Sequence, residues 1–445
     1  MERGIPFSVF SERVYLLYMA MFIEFLSKLA IAWAFIANTW WIWLPPGLFF
    51  AGKAVYKYFL KVRYFANLEW VLLEVRIPRD IPKTPEAMEQ LYGGLQTMFW
   101  DFDPLEIWWE GLHHDYIVFE MVSLGGEIHF YIRVPVHFRN VVESHLYAQY
   151  PEAEISTAED YTKQMPPRVP DAEWDIFGIE FKLGKEDAYP VRTYRDFISM
   201  APAQEEYQKV DPFSSMAELF AKIRPGEFMA YHLIFKPAET DTWKKEGEAL
   251  IEKLLGRKPA AKKGPLAGLG KEMVETLMGT APTVEQKKEE TRFIIPPENI
   301  NEQIKAITRN IMKPGFETII RFCYVARRDM FHLSHLSAFI GALKQYNTLT
   351  LNSFTLNTSA MATNVGWWLP GPIKRWRKRL KKELFYRYFK ARKRFSDTVL
   401  LKSKIIILNS EELATIFHFP GLSTKAPLMP RLPGRTSEPP SSLPI

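Results

Sequence analysis

The 445-residue sequence predicts an α+β protein in which an N-terminal transmembrane helix precedes two βαββαβ-type units and a basic amphipathic helix. Three features lead there. Residues 29–52 carry no formal charge. Alternating apolar runs and helically spaced apolar stripes succeed one another from 70 to 356. Residues 374–394 hold twelve Lys or Arg against one acid. Alternation of period two puts every second side chain on one sheet face, whereas spacing of three and four puts a stripe on one helix face.

The uncharged stretch LAIAWAFIANTWWIWLPPGLFFAG runs from Leu29 to Gly52. At about 1.5 Å per residue, a helix of this length crosses a hydrocarbon core of about 30 Å. Trp40, Trp41 and Trp43 lie within it. Pro45-Pro46 is expected to kink the helix or end it, because proline has no N–H to donate and its ring meets the preceding turn. The segment before it is apolar but carries Glu24 and Lys28, four apart and able to pair on one face, so residues 1–28 read as an interfacial lead-in helix. Residues 53–69 read as a juxtamembrane linker. Lys53, Lys57, Lys61 and Arg63 follow the span with no acid before Glu69, whereas 1–28 balances Arg3, Arg13 and Lys28 against Glu2, Glu12 and Glu24. Positive flanks stay inside, so the expectation is a single-pass protein of the cytoplasmic (inner) membrane with its C-terminal body in the cytoplasm. The lone Cys323 allows no intrachain disulfide and agrees with a reducing compartment. A long apolar region without a small-residue cleavage site argues against a removed signal peptide. A buried core helix of a soluble protein is the competing reading.

Residues 70–77, WVLLEVRI, put Val71, Leu73, Val75 and Ile77 on one side, Glu74 and Arg76 on the other. Thr84 is placed to cap a helix with Pro85 at its first position, and Met88, Leu91, Tyr92, Leu95, Met98 and Phe99 form its apolar stripe. Gly93-Gly94 inside this helix costs roughly 1 kcal/mol per residue relative to Ala, which close packing on the sheet would offset. Two alternating strands flank a Gly125-Gly126 turn, a helix follows near 138–149, and AEIS is a short strand. The order β-α-β-β-α-β over 70–160 is the split-βαβ, ferredoxin-like pattern. Residues 161–365 echo it loosely as a second α+β unit. FMAYHLIFK reads as a strand, TWKKEGEALIEKLLG and residues 301–312 as helices, FETIIRFCYVA as a strand, HLSAFIGALKQY as a helix and TLTLNSFTL as the last strand. Residues 257–291, small, charged and rich in Pro and Gly, read as a flexible insertion.

No chemistry of a reaction stands out. A phosphate-binding loop needs G-x-x-x-x-G-K-[ST]; Gly47 to Lys53 fits the spacing, but Ala54 replaces the hydroxyl that would hold Mg²⁺, and GLGK at 268–271 lacks the first glycine. His113-His114-Asp115 reads as a solvated turn, since adjacent residues seldom converge on one ion. His332 and His335 read as a helix start, His129 as a structural strand histidine, and Cys323 as a small buried hydrophobe. Glu411-Glu412 after Ser410 fit the first turn of a helix. No catalytic, cofactor-binding or metal-ligating residue and no cofactor is assigned, and an enzyme is not expected.

The basic stretch places Ile373, Trp376, Leu380, Leu384 and Tyr388 at helical spacing. They stand amid Lys374, Arg375, Arg377, Lys378, Arg379, Lys381, Lys382, Arg387, Lys390, Arg392, Lys393 and Arg394, with Trp367-Trp368 just before. Three readings stay open: a solvated charged helix, an interfacial helix on an anionic leaflet, or contact with nucleic-acid phosphates. With the formal net charge at +6, removing this stretch leaves the remainder net acidic, so a general polyanion-binding surface is not expected. Residues 366–420 therefore read as this helix plus a short one, and 421–445, ending GRTSEPPSSLPI, as a Pro-rich linker.

Several stretches together resemble the membrane-anchored N-terminal region, a domain of unknown function, of type IV secretion or conjugative DNA-transfer ATPases related to the FtsK–HerA motors. They are LEWVLLEVRIPRDIPKTPEAMEQLYGGL, GEIHFYIRVPVHFRNVVESHLYAQYPEAEI, KPGFETIIRFCYVARR, ILNSEELATIFHFPG and EPPSSLPI. The resemblance implies that such a region continues into a RecA-like motor with its Walker loop, which this sequence lacks. It also implies an anchoring and adaptor role beside an ATPase either supplied in trans or lost by truncation, with membrane lipid, that ATPase and further copies of the chain as partners. The alternative is a membrane-tethered nucleic-acid-binding protein acting through 374–394.

Overall fold

The computed structural model describes residues 7–78, 84–98, 100–199, 211–238, 240–256, 297–358, 362–363, 371–394 and 403–420. The expected insertion at 257–291, Trp367-Trp368 and the Pro-rich tail lie outside the described residues. The chain forms two compact units, one of residues up to Leu68 with 101–113, the other of 69–100 and 114 onward.

In the first unit, α1 is one helix from Phe7 to Asn67. Its Met21–Ile42 portion is long and apolar enough to cross a membrane. The helix does not end at Pro45 and Pro46 but continues through both, and the stretch expected as a linker is helical. Two prolines deprive the carbonyls of Trp41 and Ile42 of their intrahelical donors, yet the helix continues beyond them to Asn67, a long regular ladder that outweighs the local loss. Lys28 pairs with Glu24 at 2.8 Å, one turn apart, as their spacing predicts. Segment 101–113 contains a π-helical turn, Glu106–Glu110.

The second unit is built on one nine-stranded antiparallel sheet. Its strands are β1 (Trp70–Arg76), β2 (Ile117–Leu124), β3 (Glu127–Pro135), β4 (Glu154–Thr157), β5 (Trp174–Leu183), β6 (Glu227–Pro237), β7 (Gly315–Arg327), β8 (Phe354–Leu356) and β9 (Ile406–Asn409). The order is β4-β1-β3-β2-β6-β7-β5-β8, with β9 also pairing β7. From each outer edge inward, both halves read fourth, first, third, second strand of their own set, and the two second strands meet in the middle. The expected second unit is therefore not a separate sheet: β2 and β6 join the halves over eight register pairs. β5, a strand the sequence pattern leaves unmarked, supplies the first strand of the second half.

One face of the sheet carries most of the core. Leu73, Phe119, Phe130, Tyr231, Phe235, Phe316 and Phe322 point there. They meet α2 (Pro85–Leu95), α3 (Arg139–Gln149), α5 (Ser214–Ala221), α8 (Ser334–Lys344) and α10 (Ser410–Ile416), with α4 (Tyr194–Ser199) beside α10. Thr84 and Pro85 start α2 as expected, and Ala87, Met88, Leu91, Tyr92 and Leu95 are its buried stripe. Gly94 is needed for a different contact from the one expected: a Cβ there would lie 2.4 Å from His145 of α3, so helix meets helix. Gly125 and Gly126 both take positive φ, 63° and 104°, which the tight turn between β2 and β3 demands. α6 (Thr240–Leu254) and α7 (Glu298–Ile311) pack together around Trp243 and Ile307 in a smaller cluster. The opposite sheet face is covered by α9 (Gly371–Lys390) through Phe385, Tyr386, Tyr388 and Phe389.

Candidate functional site: the docked basic helix and the polar row beneath it

The face under α9 is polar along one line. Register places Glu74 of β1 opposite Tyr131 of β3, Tyr131 opposite Glu120 of β2, Glu120 opposite His232 of β6, His232 opposite Arg321 of β7, and Arg321 opposite Glu180 of β5. One residue from each of six adjacent strands thus makes a transverse row. Glu120, Glu180 and His232 are fully buried and Arg321 is 1% exposed. Buried charges persist only when paired and hydrogen-bonded, so the partners decide what the row does.

Arg392, just past the end of α9, supplies the main one. Its Nε donates to Glu120 Oε1 at 3.0 Å, its Nη1 and Nη2 reach Asp160 at 2.6 and 2.9 Å, and its guanidinium lies over the Tyr161 ring. Tyr161 Oη sits 2.8 Å from both Glu120 Oε2 and His232 Nε2. One hydroxyl proton goes to one acceptor; donation to Glu120 leaves His232 to donate from Nε2, which fixes the neutral tautomer. Among the described residues His232 Nδ1 then has no partner, a buried acceptor left unsatisfied. Burial, with Arg392 and Arg321 nearby, keeps His232 far below its ordinary pKa. Burial works against the Arg392 charge, but Glu120, Tyr161 and Asp160 hold its pKa well above the usual value. Asp160, despite partial burial, is lowered to about 2 by that guanidinium and by the Thr162 amide.

Arg321 plays the matching part in the second half. Its Nε and Nη2 donate to Glu180 Oε1 at 2.9 and 2.7 Å, while Nη1 and Nη2 reach the carbonyls of Tyr388 and Lys393 at 3.3 and 2.8 Å. Arg133 donates to the Ala391 carbonyl at 3.1 Å. Two guanidiniums therefore meet the carbonyl-rich end of α9, where cations are favoured. The helix closes with the amide of Arg392 on the Phe389 carbonyl and that of Lys393 on Tyr388, the paired bonds of a Schellman cap. Glycine is the usual residue at the left-handed position; here it is Arg392, with φ 49°.

The structure divides the predicted cations of this stretch into two sets. Lys381, Lys382 and Arg392 are buried. Lys382 pairs with Asp175 at 2.5 Å and Arg394 with Glu317, so these face the protein's own carboxylates. Lys390 and Lys393 lie against Tyr386 and Tyr388. Arg375, Lys378 and Arg379 are exposed, Lys374 and Arg377 partly so, and Trp376 and Ile373 stand out at 64% and 50%. Arg387 is exposed and pairs with Glu383 at 2.8 Å. Only the N-terminal half of α9 offers a basic, aromatic surface. Of the predicted span residues, Leu29, Trp40, Trp41, Pro45, Pro46 and Gly52 are exposed on α1, and Trp43 lies in the same helix.

His129 Nδ1 is 2.8 Å from Glu74 Oε1, a satisfied strand histidine. Asp115 pairs with His137 at 2.8 Å, not with its sequence neighbours as ligands. His335 opens α8 near Glu227 and Tyr324. Cys323 is buried, which pushes its thiol pKa up. Among the described residues no group of three His, Cys, Asp or Glu could hold a metal ion. Glu412 does more than favour a helix start: it completes a capping box with Asn409 and also accepts from the Val191 amide at 2.8 Å. The residues sequence reasoning missed are Glu120, Glu180, His232 and Arg321. Their signal was available, a lone charged residue in the middle of an otherwise apolar run, such as TIIRFCYV or IVFEMVSL.

A family model described as a domain of unknown function, DUF8128, matches residues 61–428. No curated protein matches the chain.

Proposed function

The chain belongs to the DUF8128 family, and from that premise we propose that it is a membrane-anchored, non-catalytic assembly module for a type IV secretion-like or conjugative DNA-translocating ATPase of the FtsK–HerA type supplied in trans. In this reading the apolar stretch of α1, expected over 29–52 and overlapping Met21–Ile42, crosses the inner membrane, and the second unit lies in the cytoplasm. Each half of the sheet is read as a ferredoxin-like unit, a reading that the shared strand order supports. The observation that carries the proposal is the combination of one long exposed apolar helix with a body in which, among the described residues, the buried Glu120, Glu180, Arg321 and Arg392 are engaged in internal ion pairs. Such a body is suited to holding shape, not to turning over a substrate. The segment Ile406–Phe419 is buried almost throughout, so a connector beyond it departs from a fixed point.

Two measurements test this. After cell lysis the chain is expected in the membrane fraction and released only by detergent; recovery in the soluble fraction removes the anchor. Affinity purification of the detergent-extracted chain is expected to retain a Walker-motif ATPase, and absence of any such protein from the purified complex removes the adaptor role.

A second reading has its own observation, the exposed Arg375, Trp376, Lys378 and Arg379. If this surface binds nucleic acid, affinity falls steeply with salt and is lost in the R375Q/K378Q/R379Q variant. Equal dependence on anionic vesicles points to lipid instead.

A further inference from the structure

Toward its C-terminal end, α1 turns a charge-free side outward. Leu48, Gly52, Val55, Phe59, Val62 and Ala66 follow one another at spacings of four and three, the repeat of a coiled-coil seam. All six are exposed, Val55, Phe59 and Val62 at 68, 56 and 40%. At about 100° per residue they fall within an arc of about 80°. Lys53, Lys57, Lys61 and Arg63 all lie outside that arc. Segment 101–113 sits on a different side of the helix. A Cβ on Gly111 would lie 3.2 Å from buried Leu60, Tyr56 Oη donates to the Trp108 carbonyl at 3.2 Å, and the ammoniums of Lys53 and Lys57 sit 4.8 and 4.7 Å from the Trp108 ring centre. A helix in water buries its apolar stripe and exposes its charges. Here the single chain packs on the charged side and leaves the apolar stripe exposed. Lipid does not cover the stripe: Phe59, Val62 and Ala66 lie about 10, 15 and 21 Å of helix past Gly52, the end of the expected span, and farther still past Ile42. The headgroup layer is only about 5–8 Å deep.

We propose that this seam packs against the same seam of a second copy of the chain, as a short parallel coiled coil that rises from the membrane. Two copies crossing one membrane in the same direction run parallel at the same depth. Each seam residue then meets its own counterpart, and the layers match without adjustment. A seam with no hydrogen-bonding side chain calls for an apolar partner of the same repeat, and this chain carries one. Small Gly52 and Ala66 let the two backbones approach closely. The cations, lying off the seam, are kept out of the contact. Six seam positions make a short coiled coil, but confinement of both copies to one bilayer raises their effective concentration and offsets that shortness. The inference rests on the membrane reading above and adds to it the surface through which copies meet.

The test introduces single cysteines into the full chain and oxidises them in native membranes. Facing seam positions of a parallel pair come within disulfide reach, and outer positions do not. Val55→Cys and Val62→Cys are expected to give about tenfold more covalent dimer than Ala54→Cys and Lys61→Cys. The parent chain, whose Cys323 is buried, sets the background. Phe59→Glu placed in the Val62→Cys chain brings like charges face to face and should lower the dimer to the level of the outer positions. Thermal unfolding of each variant, matched to the parent chain, separates loss of the seam from loss of fold. Equal cross-linking at the four positions, cross-linking of the seam cysteines only to a different polypeptide, or an undiminished dimer with Phe59→Glu overturns the seam while leaving the membrane reading intact. A chain that remains soluble without detergent overturns both.

Discussion

Arg392 is the residue on which the docked helix turns. A left-handed backbone costs a side-chain-bearing residue about 1–2 kcal/mol, and the position persists because this guanidinium alone reaches Glu120 and Asp160 together. Removing it strands a fully buried carboxylate, so Arg392→Met should destabilise the chain by about 3–5 kcal/mol in urea unfolding. Arg392→Gly relaxes the backbone while losing the same pair, and should be less damaging by about 1 kcal/mol. Equal losses would mean that the backbone is unstrained. Two histidines give opposite pH signatures. His232 is held neutral when folded, so its contribution is present above about pH 6.5 and is lost as pH falls, because the unfolded chain takes the proton. For His418 burial disfavours the charge, but Asp211 at 2.8 Å raises the pKa, so its contribution is full below about pH 6.5 and is lost as pH rises through the folded value. Chemical unfolding between about pH 5 and 8 should show a shallower acid loss for His232→Gln and a steeper one for His418→Gln.

At the scale of elements, α9 docks because β5 offers it a residue without a side chain. A Cβ on Gly178 would lie 1.9 Å from the Phe385 ring, so Gly178→Ala overpacks the contact and should cost about 1–3 kcal/mol. Phe385→Ala opens a cavity at a cost of about 3–5 kcal/mol, and the double variant should lose clearly less than the two together, since the new methyl fills part of that cavity. Simple additivity would show that the two do not touch. The exposed cations behave differently: Arg375→Gln, Lys378→Gln and Arg379→Gln should each change stability by no more than about 0.5 kcal/mol. The same basic run is thus structural at one end and free at the other. Composition alone hid that division, because helical spacing reports which residues share a face and not which protein surface that face meets.

For the second unit as a whole, the seam between β2 and β6 is what makes two similar halves one body. Ser123 of β2 is tied to the Phe220 carbonyl of the second half at 2.6 Å, and Tyr92 of α2 packs against Phe235 and Phe316 across the middle. Amide hydrogen exchange should therefore be slowest in β2, β6 and β7 with no weak line between them. Faster exchange at the seam than in the flanking strands would mean that the halves open separately. The C-terminal α10 adds to this unity: Lys313 bridges Glu89 of α2 and Glu411 of α10, and Phe417 packs beside Phe119, Phe130 and Tyr231.

What the sequence determined by itself was periodicity: the apolar helix, β1 to β4 with their helices, β6, β7 and the start of α10 were legible because alternation and capping are local. The helix through Pro45 and Pro46 was not, since proline states a local penalty and the length of regular ladder beyond it decides the outcome. β5 was missed because Gly178, Glu180 and Lys182 interrupt the apolar alternation on the face that α9 covers; Gly178 answers to Phe385, and Glu180 to Arg321 and Ser403, far along the chain. The polar row existed only once register had set six strands side by side, since an isolated Glu or His in an apolar run names no partner. Local pattern chooses the elements; long-range register and packing choose which charges meet.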